Sequence, residues 1–328
     1  MQAARRVALV TGANTGVGLQ TALGLARKPF HVILACRSES RGAAAVEWLR
    51  RECAEACVSF MRLDLADLND VARFTDCVSA EYPGGISVVV CNAGIGGTDR
   101  KPEQTDDGGD LVYRVNFVAH FVLVHRLLPL LACAAAETKT ISRVVTVSSV
   151  MHRFGHSRWK ESLDYNPSAS SYNPSKLALA VFAAEITRRA KRCGVLGIAV
   201  NPGAVNSDIW YRGDDSWGSR AHWQRSLLQH VFRRVFLTTT QGAATSISAA
   251  TAPEWEDCRA EDNPLYLSPY RSPPNRPMPF DLHGPFAGAH RCRPHEAVLD
   301  AAEGRALWDG LVGDARVASF LRGSERLR

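Results

Sequence analysis

A tyrosine and a lysine stand four residues apart in a segment of helical periodicity, at Tyr172 and Lys176. Residues four apart lie on one face of a helix, so both side chains can reach the same ligand. A nearby ammonium favours the phenolate, which predicts a phenol pKa below its usual value of about 10. Such a phenol can protonate a carbonyl that is being reduced, or deprotonate an alcohol that is being oxidised. An ordinary surface pair of Tyr172 and Lys176 is the alternative.

Two further residues bear on this pair. Ser149 could hydrogen-bond the substrate oxygen, hold it near Tyr172 and stabilise a developing alkoxide. Pro174 lies between the tyrosine and the lysine, but the first turn of a helix tolerates proline because its N–H groups have no helical partner. The proline therefore predicts a helix that begins just before Tyr172, with Ser170 or Ser171 as the N-cap.

A glycine-rich turn follows the first apolar run, in the sequence Thr11-Gly12-Ala13-Asn14-Thr15-Gly16-Val17-Gly18. Glycines there permit a tight turn and let backbone N–H groups approach a pyrophosphate at a helix N-terminus. A plain strand–helix turn is the alternative, and the strand-turn-helix context argues against it. The predicted dinucleotide contacts in this turn are Gly12, Asn14, Thr15, Gly16, Val17 and Gly18.

Short apolar runs alternate with longer stretches of helical period, which is typical of a parallel sheet covered by helices. The runs lack alternation, as expected of strands that are covered on both faces. The predicted fold is α/β, a Rossmann-like doubly wound parallel sheet of about seven strands, with its ligand crevice at the carboxyl ends of the strands. The predicted strands are Val7–Thr11, His31–Cys36, Val58–Leu63, Ser87–Cys91, Ser142–Val147, Gly197–Asn201 and Leu265–Leu267. The predicted helices are 17–28, 40–53, 68–82, 109–136, 171–193 and 239–251.

Residues after these strands resemble, in order, the motifs of the short-chain dehydrogenase/reductase family. The spacing TGxxxGxG follows strand one, and Tyr172-Asn173-Pro174-Ser175-Lys176 is similar to the family's YxxxK motif. Within the family the chain looks most like the retinol-dehydrogenase-type branch, because of ACRS after strand two, RVVTVSS, and a long insertion before the tyrosine. The other matching motifs are Asp64-Leu65, Asn92-Ala93-Gly94, Asn116, Ser148-Ser149 and Asn201-Pro202-Gly203.

The resemblance implies roles for these residues. Tyr172 would be the catalytic acid or base, Ser149 (rather than Ser148) the catalytic serine, and Lys176 a ligand of the nicotinamide ribose. Asn116 would hold a water that links Lys176 to solvent, completing a catalytic set of Asn116, Ser149, Tyr172 and Lys176. Ser207 stands where a threonine commonly meets the nicotinamide carboxamide. The remaining implied cofactor contacts are Asp64, Leu65, Asn92, Ala93, Gly94, Pro202, Gly203 and Val205.

The end of strand two bears on which dinucleotide is bound. An acidic residue there would accept hydrogen bonds from the ribose 2′-hydroxyl of NAD, but this chain has Arg37 and Ser38, with Arg41 one turn further on. Arg37 can form charge-assisted hydrogen bonds to a 2′-phosphate, which favours NADP(H) over NAD(H). A solvated loop charge beside Glu39 is the alternative for Arg37.

Composition narrows the class of protein. The chain of 328 residues is 46% hydrophobic and 22% charged, which excludes disorder and coiled coil. A net charge of +6, spread along the chain, does not favour nucleic-acid binding. The nine cysteines include no CxxC pair, so no metal site is predicted and reduced thiols are expected. Neither a signal peptide nor a membrane span is predicted, since charged residues interrupt the apolar stretch 117–136. We expect an intracellular, cytoplasmic protein.

One domain is predicted over 1–328, with its core at 5–270. Residues 208–236 hold three of the seven Trp and lie where the family has its substrate loop, which predicts a lid; core or subunit packing is the alternative for these tryptophans. Residues 272–294 hold six of the sixteen Pro and predict an irregular excursion. Residues 295–321 are predicted to be helical.

The sequence thus predicts an NADP(H)-dependent oxidoreductase that interconverts a carbonyl and an alcohol on a small apolar substrate, such as a lipid, retinoid-like or steroid-like molecule. A non-catalytic dinucleotide sensor or scaffold, or a membrane-peripheral protein using its Trp/Arg-rich segment, are alternatives. The family commonly pairs subunits through the helix 109–136 and the tyrosine helix, so a homodimer or homotetramer is expected. An apolar stripe at helical spacing supports this pairing, and it comprises Phe117, Phe121, Val124, Leu128 and Leu131.

Overall fold

The computed structural model describes residues 5–96, 103–205, 236–256, 264–270, 286 and 288–321. Ser207, nearly all of the predicted lid 208–236 and most of the excursion 272–294 lie outside these residues. Within them, eight strands form one sheet in the order β3-β2-β1-β4-β5-β6-β7-β8. The strands are β1 Arg6–Thr11, β2 Phe30–Cys36, β3 Cys57–Arg62, β4 Val88–Cys91, β5 Ser142–Val147, β6 Val195–Val200, β7 Leu265–Ser268 and β8 His290–Arg291.

Helices cover both faces of this sheet, as the doubly wound prediction requires. The longest helix includes a π-helical turn at Arg114–Val118. The helices are α1 Gly16–Ala26, α2 Glu39–Glu52, α3 Leu68–Glu81, α4 Leu111–Thr138, α5 Trp159–Leu163, α6 Tyr172–Ala190, α7 Thr239–Thr251, α8 Glu296–Leu299, α9 Ala301–Gly313 and α10 Ala315–Ala318. Short 3₁₀ turns lie at Val150–Phe154, Lys191–Cys193 and Pro253–Trp255.

The seven predicted strands all exist and pair in parallel. Their bounds agree with the prediction to within one residue except at the start of β6, which lies two residues before the predicted Gly197 because Val195 and Leu196 pair with β5. The eighth strand was not predicted. It is two residues long and antiparallel to β7, and a pair as short as His290–Arg291 carries no periodicity that a sequence pattern could reveal.

The sheet separates two apolar clusters. Side chains of α1, α2 and α7 pack on one face, and those of α3, α4, α6 and the C-terminal helices pack on the other. Helix α4 is long and apolar enough to span a membrane by length and composition, yet 67% of its apolar window is buried inside the fold. Such burial is typical of a helix in the core of a folded domain.

The argument for subunit pairing from the apolar stripe of α4 is wrong. Phe117, Phe121 and Val124 are fully buried within this chain. The reason is helix α9, whose Trp308 packs edge-on against Phe121 with ring centroids 5.0 Å apart and lies 6.0 Å from the ring of Phe182. The chain's own C-terminal helix thus covers the face that the stripe was taken to expose.

The start of α6 agrees with the prediction in position but not in chemistry. Ser171 is the N-cap residue, but its side chain makes no capping bond to the helix. Its hydroxyl instead interacts with the carboxylate of Asp110, which itself caps α4 by accepting from the Tyr113 N–H at 2.8 Å. The cap of α6 is thereby exchanged for a link between the two helices.

Candidate functional site

A cavity of about 350 Å³ opens where the carboxyl ends of the parallel strands meet. This edge is where a doubly wound sheet binds its ligand. Its walls include every predicted cofactor contact in the described residues, which are Gly12, Asn14, Thr15, Gly16, Val17, Gly18, Arg37, Asp64, Leu65, Asn92, Ala93, Gly94, Tyr172, Lys176, Pro202, Gly203 and Val205. The fold therefore brings together residues from the loops after five strands and from helix α6, which are far apart in sequence.

The turn between β1 and α1 depends on glycine. Gly12 and Gly16 have φ values of +65° and +59°, which side-chain-bearing residues rarely adopt. A Cβ atom on Gly12 would lie 2.9 Å from the Cα of Ala93, so the turn and the loop after β4 are in close contact. The Asn92 amide donates to the Thr11 carbonyl at 2.8 Å and locks this contact. Gly16, Val17 and Gly18, the first residues of α1, line the cavity, and the N–H groups of a first helical turn suit an anionic pyrophosphate.

The far end of the cavity is basic. Arg37, Ser38 and Arg41 line it after β2, and both arginines are exposed. Within the described residues neither arginine has an ion-pair partner, and Glu39 does not line the cavity. A carboxylate also lines the cavity, that of Asp64 after the neighbouring strand β3. The Asp64 N–H donates to Asp70 at 2.6 Å, and its Oδ1 accepts from the Ala66 N–H at 3.1 Å.

Ser149 and Tyr172 meet at the inner end of the cavity. Burial raises the pKa of the Tyr172 phenol above its ordinary value of 10, and interaction with the Ser149 hydroxyl lowers it by less. Lys176 is 4% exposed, and burial lowers its pKa to about 8. Its Nζ donates to the Val147 carbonyl at 3.0 Å and lies 5.6 Å from the centre of the Tyr172 ring.

The expectation that Lys176 lowers the pKa of Tyr172 is therefore wrong for this structure. Helical spacing does place the two residues together, but burial disfavours the charged form of each group. The Nζ hydrogen bond is directed to the carbonyl of Val147 rather than to the phenol oxygen. Ser148 is separate from this chemistry, since its hydroxyl donates to the Lys176 carbonyl at 2.7 Å and ties α6 to β5.

Asn116 lies in the π-helical turn and is fully buried. Its Oδ1 accepts from the Ile95 N–H at 2.8 Å, and its Nδ2 donates to the Ile95 carbonyl and the Ser175 hydroxyl, each at 3.1 Å. The Ser175 hydroxyl donates in turn to the Tyr172 carbonyl at 2.7 Å. Asn116 thus joins the loop after β4 to the start of the tyrosine helix. Its implied role as a water ligand stays a prediction.

A buried histidine that sequence reasoning missed supports this arrangement. His120 has no exposed surface and its Nδ1 lies 2.9 Å from the Asn116 carbonyl, which can only accept. Nδ1 therefore carries the proton, and Nε2 accepts from the Thr11 hydroxyl at 2.9 Å. Burial lowers the pKa of His120 to about 4, consistent with this neutral tautomer. The signal in the sequence was its position one helical turn after Asn116.

Three apolar side chains on the cavity wall were also missed. They are Ile95, Leu111 and Val115, from the loop after β4 and the start of α4. Isolated aliphatic residues carry no motif, so only their position on the wall of the cavity that Tyr172 also lines distinguishes them. No group of three or more possible metal ligands occurs in the part of the chain that the structure describes, where all eight cysteines are free thiols.

Known proteins share both the sequence pattern and the fold. The family model for short chain dehydrogenases matches residues 6–215. Dehydrogenase/reductase SDR family member 13 of Homo sapiens is 38% identical over 251 residues, which are 75% of this chain and 62% of that protein. Retinol dehydrogenase 12 of Mus musculus is 33% identical over 253 residues, which are 76% of this chain and 75% of that protein.

Solved structures agree with the described architecture. An uncharacterized protein from Mycobacterium paratuberculosis is 28% identical with a TM-score of 0.63, covering 94% of this chain and 92% of its own. The NADPH-bound carbonyl reductase from chicken fatty liver has the same fold, at 21% identity and a TM-score of 0.57, covering 80% of this chain and 95% of its own. The cavity, the ordered motifs and these similarities make the chain a member of the short-chain dehydrogenase/reductase family, in its retinol dehydrogenase-like branch.

Proposed function

We propose that this oxidoreductase uses NADP(H) to interconvert a carbonyl and an alcohol, with Tyr172 as the acid or base. The observation that carries the proposal is that Ser149 and Tyr172 both line the cavity that begins at the glycine-rich turn, close enough together for the Ser149 hydroxyl to act on the phenol pKa. A substrate oxygen placed between these two hydroxyls would accept a hydrogen bond from each. Both donors then stabilise the negative charge that develops on that oxygen.

Tyr172 and Lys176 would have separate roles in the reaction. A bound nicotinamide would supply or accept the hydride at the substrate carbon. Tyr172 would donate the proton from its hydroxyl to the substrate oxygen in the direction of reduction. Its raised pKa keeps the hydroxyl protonated at neutral pH, as a proton donor requires. Lys176, with a pKa of about 8, can hold or release a proton at Nζ near neutral pH and would bind the ribose hydroxyls.

The residues also fit a dinucleotide that carries a 2′-phosphate. The N-terminus of α1 would hold the pyrophosphate, and Arg37 and Arg41 line the cavity after β2, where neither has an ion-pair partner among the described residues. A guanidinium is well suited to a phosphate because it offers several charge-assisted hydrogen bonds. The basic end of the cavity therefore supports NADP(H) over NAD(H).

The apolar part of the cavity lining and the similarity to a retinol dehydrogenase both support an apolar substrate. Ile95, Leu111 and Val115 would contact a substrate held near Tyr172, and the similarity to retinol dehydrogenase 12 favours a retinoid-like, steroid-like or lipid aldehyde, ketone or alcohol. This chain spans 62% of the length of SDR family member 13, so the substrate class is a proposal that depends first on the cavity of this chain.

The test is a panel of apolar aldehydes and ketones incubated with NADPH or NADH, followed by the absorbance of the reduced nicotinamide. Tyr172→Phe is the matched control, since it keeps the ring and removes the proton donor. We expect turnover with NADPH and a loss of about 10²–10⁴-fold in the variant, with NADPH affinity retained. Tight NADPH binding without turnover of any carbonyl would refute the proposal and favour a dinucleotide sensor.

A further inference from the structure

The C-terminal segment His290–Ala318 lies beyond the matched region 6–215, yet it is tied repeatedly to the loop between Ser149 and Tyr172. Five hydrogen bonds link the two stretches. They are His295 N–H to His152 Nε2 at 3.1 Å, Arg153 Nη2 to the Arg293 carbonyl at 2.8 Å, Ser157 Oγ to Glu303 at 3.1 Å, Trp159 Nε1 to Glu303 at 2.9 Å and Arg316 to Asp164 at 2.9 Å. The segment therefore packs against the loop that carries the site.

One of these bonds leads directly to Ser149. His152 is fully buried in the 3₁₀ turn that Ser149 caps. The Ser149 carbonyl accepts from the His152 backbone N–H at 3.0 Å and lies 2.7 Å from His152 Nδ1. The turn is closed twice by the same residue, once through its backbone and once through its ring.

The partners of the ring define its protonation. The His295 backbone N–H can only donate, so His152 Nε2 must accept. The Ser149 carbonyl can only accept, so Nδ1 must carry the single ring proton. Burial lowers the pKa of His152 to about 3, consistent with this neutral form. The Tyr266 ring packs beside the imidazole, with centroids 4.7 Å apart, and limits its rotation.

We propose that His152 is a positioning residue for Ser149, and that the backbone N–H of His295 holds His152 in the tautomer and orientation that this requires. The C-terminal segment would then keep the Ser149 hydroxyl on Tyr172. This inference rests on the proposed function, in which Ser149 and Tyr172 together bind the substrate oxygen. It assigns a role in the site to a segment outside the family match.

A pair of substitutions at one position isolates the bond. His295→Pro removes the backbone donor, and the φ of −59° at His295 is compatible with proline. The His295 side chain also caps α8 by accepting from the Ala297 N–H, so His295→Ala, which loses the cap but keeps the donor, is the matched control. The two variants differ in the hydrogen bond to His152 and in the proline Cδ that takes the place of the donor hydrogen.

We expect the kcat of His295→Pro to be about tenfold below that of His295→Ala, the effect of one lost hydrogen bond of about 1.4 kcal/mol. The KM for NADPH should agree within about twofold, because the bond acts on Ser149 rather than on the cofactor walls. Equal kcat values in two folded variants would overturn the proposal.

Hydrogen exchange of the backbone amides at 149–155 gives a measure that needs no turnover. We expect these amides to exchange faster in His295→Pro than in His295→Ala, and equal exchange would overturn the link to the C-terminal segment. If the wild type reduces no carbonyl, the proposed function fails, and the exchange still decides whether the segment orders this turn.

A second pair of variants tests the ring itself. The amide of His152→Asn can replace the Nδ1 donor to the Ser149 carbonyl, whereas His152→Ala cannot. We expect the asparagine variant to retain a several-fold higher kcat than the alanine variant. Equal activity of the two would show that the ring is only a packing element.

Discussion

Replacing Lys176 by methionine is expected to stabilise the fold while it damages the site. Lys176 is 4% exposed, and burial lowers its pKa from 10.5 to about 8. One pH unit corresponds to about 1.4 kcal/mol, so at pH 7 the buried ammonium destabilises the folded state by about 3 kcal/mol. Methionine fills similar volume without the charge but leaves the Val147 carbonyl without its donor, a loss of about 1–2 kcal/mol. Lys176→Met should therefore unfold with a free energy about 1–2 kcal/mol higher than the wild type.

The stability difference between the wild type and Lys176→Met is expected to change with pH. Because the folded-state pKa of Lys176 is depressed, the unfolded chain binds more protons than the folded one between about pH 8 and pH 10.5. Stability of the wild type through this group therefore rises with pH in that window. Relative to Lys176→Met, the wild type should gain about 2–3 kcal/mol between pH 7 and pH 10, so the advantage of the variant should vanish or reverse.

The assay is urea unfolding of both proteins without cofactor at several pH values. Lys160→Met is the matched control, since Lys160 is exposed and its removal should change neither the stability nor its pH dependence. The reasoning is refuted if Lys176→Met is less stable than the wild type at pH 7, or if the difference between them does not change up to pH 10. Loss of turnover in the variant is expected in either case.

Three further outcomes are expected. Arg37→Asp should lower the ratio of kcat/KM for NADPH over NADH by roughly 100-fold, since a phosphate partner becomes a repulsive carboxylate; a wild type that already prefers NADH would contradict the assignment. Gly12→Ala should abolish NADPH binding in a fluorescence titration, because its φ is +65° and its Cβ would meet the Ala93 backbone, whereas Gly84→Ala, where nothing lies within 4 Å, should bind normally. Trp308→Ala should lower the free energy of unfolding by about 3–5 kcal/mol and promote association seen by light scattering; a loss below about 1 kcal/mol would mean that α9 adds little to the core.

Local patterns were sufficient where one residue type has one physical use. Gly12 and Gly16 were predicted from the turn that a pyrophosphate needs, and both have the positive φ that only glycine adopts readily. The parallel strands were predicted because strands covered on both faces are continuously apolar. The order of the motifs then assigned each loop to one edge of the sheet, since parallel strands share a carboxyl end.

The sequence did not reveal how far the fold removes each side chain from water. The spacing of Tyr172 and Lys176 placed them on one face, but the directions of their pKa shifts depend on how much water the surrounding chain excludes. The helical period of the stripe through Phe121 correctly predicted a covered face. The predicted partner, a second subunit, was wrong, because Trp308 of helix α9 in the same chain covers it. A period shows that a face is covered, without showing what covers it.

The sequence by itself determined the fold class, the glycine-rich turn and the set of residues that meet at the carboxyl edge of the sheet. These follow from local backbone geometry and from periodicity, which neighbouring residues carry. Only the tertiary structure decided the hydrogen-bond partners of His120 and His152. It also decided that the Ser171 side chain interacts with Asp110 instead of capping its own helix, and that residues 290–318 pack beside the turn that contains Ser149. The contacts of Ser171 with Asp110, His120 with Thr11 and His152 with His295 join residues that are 61 to 143 positions apart. Their free energy depends on which groups the fold removes from water.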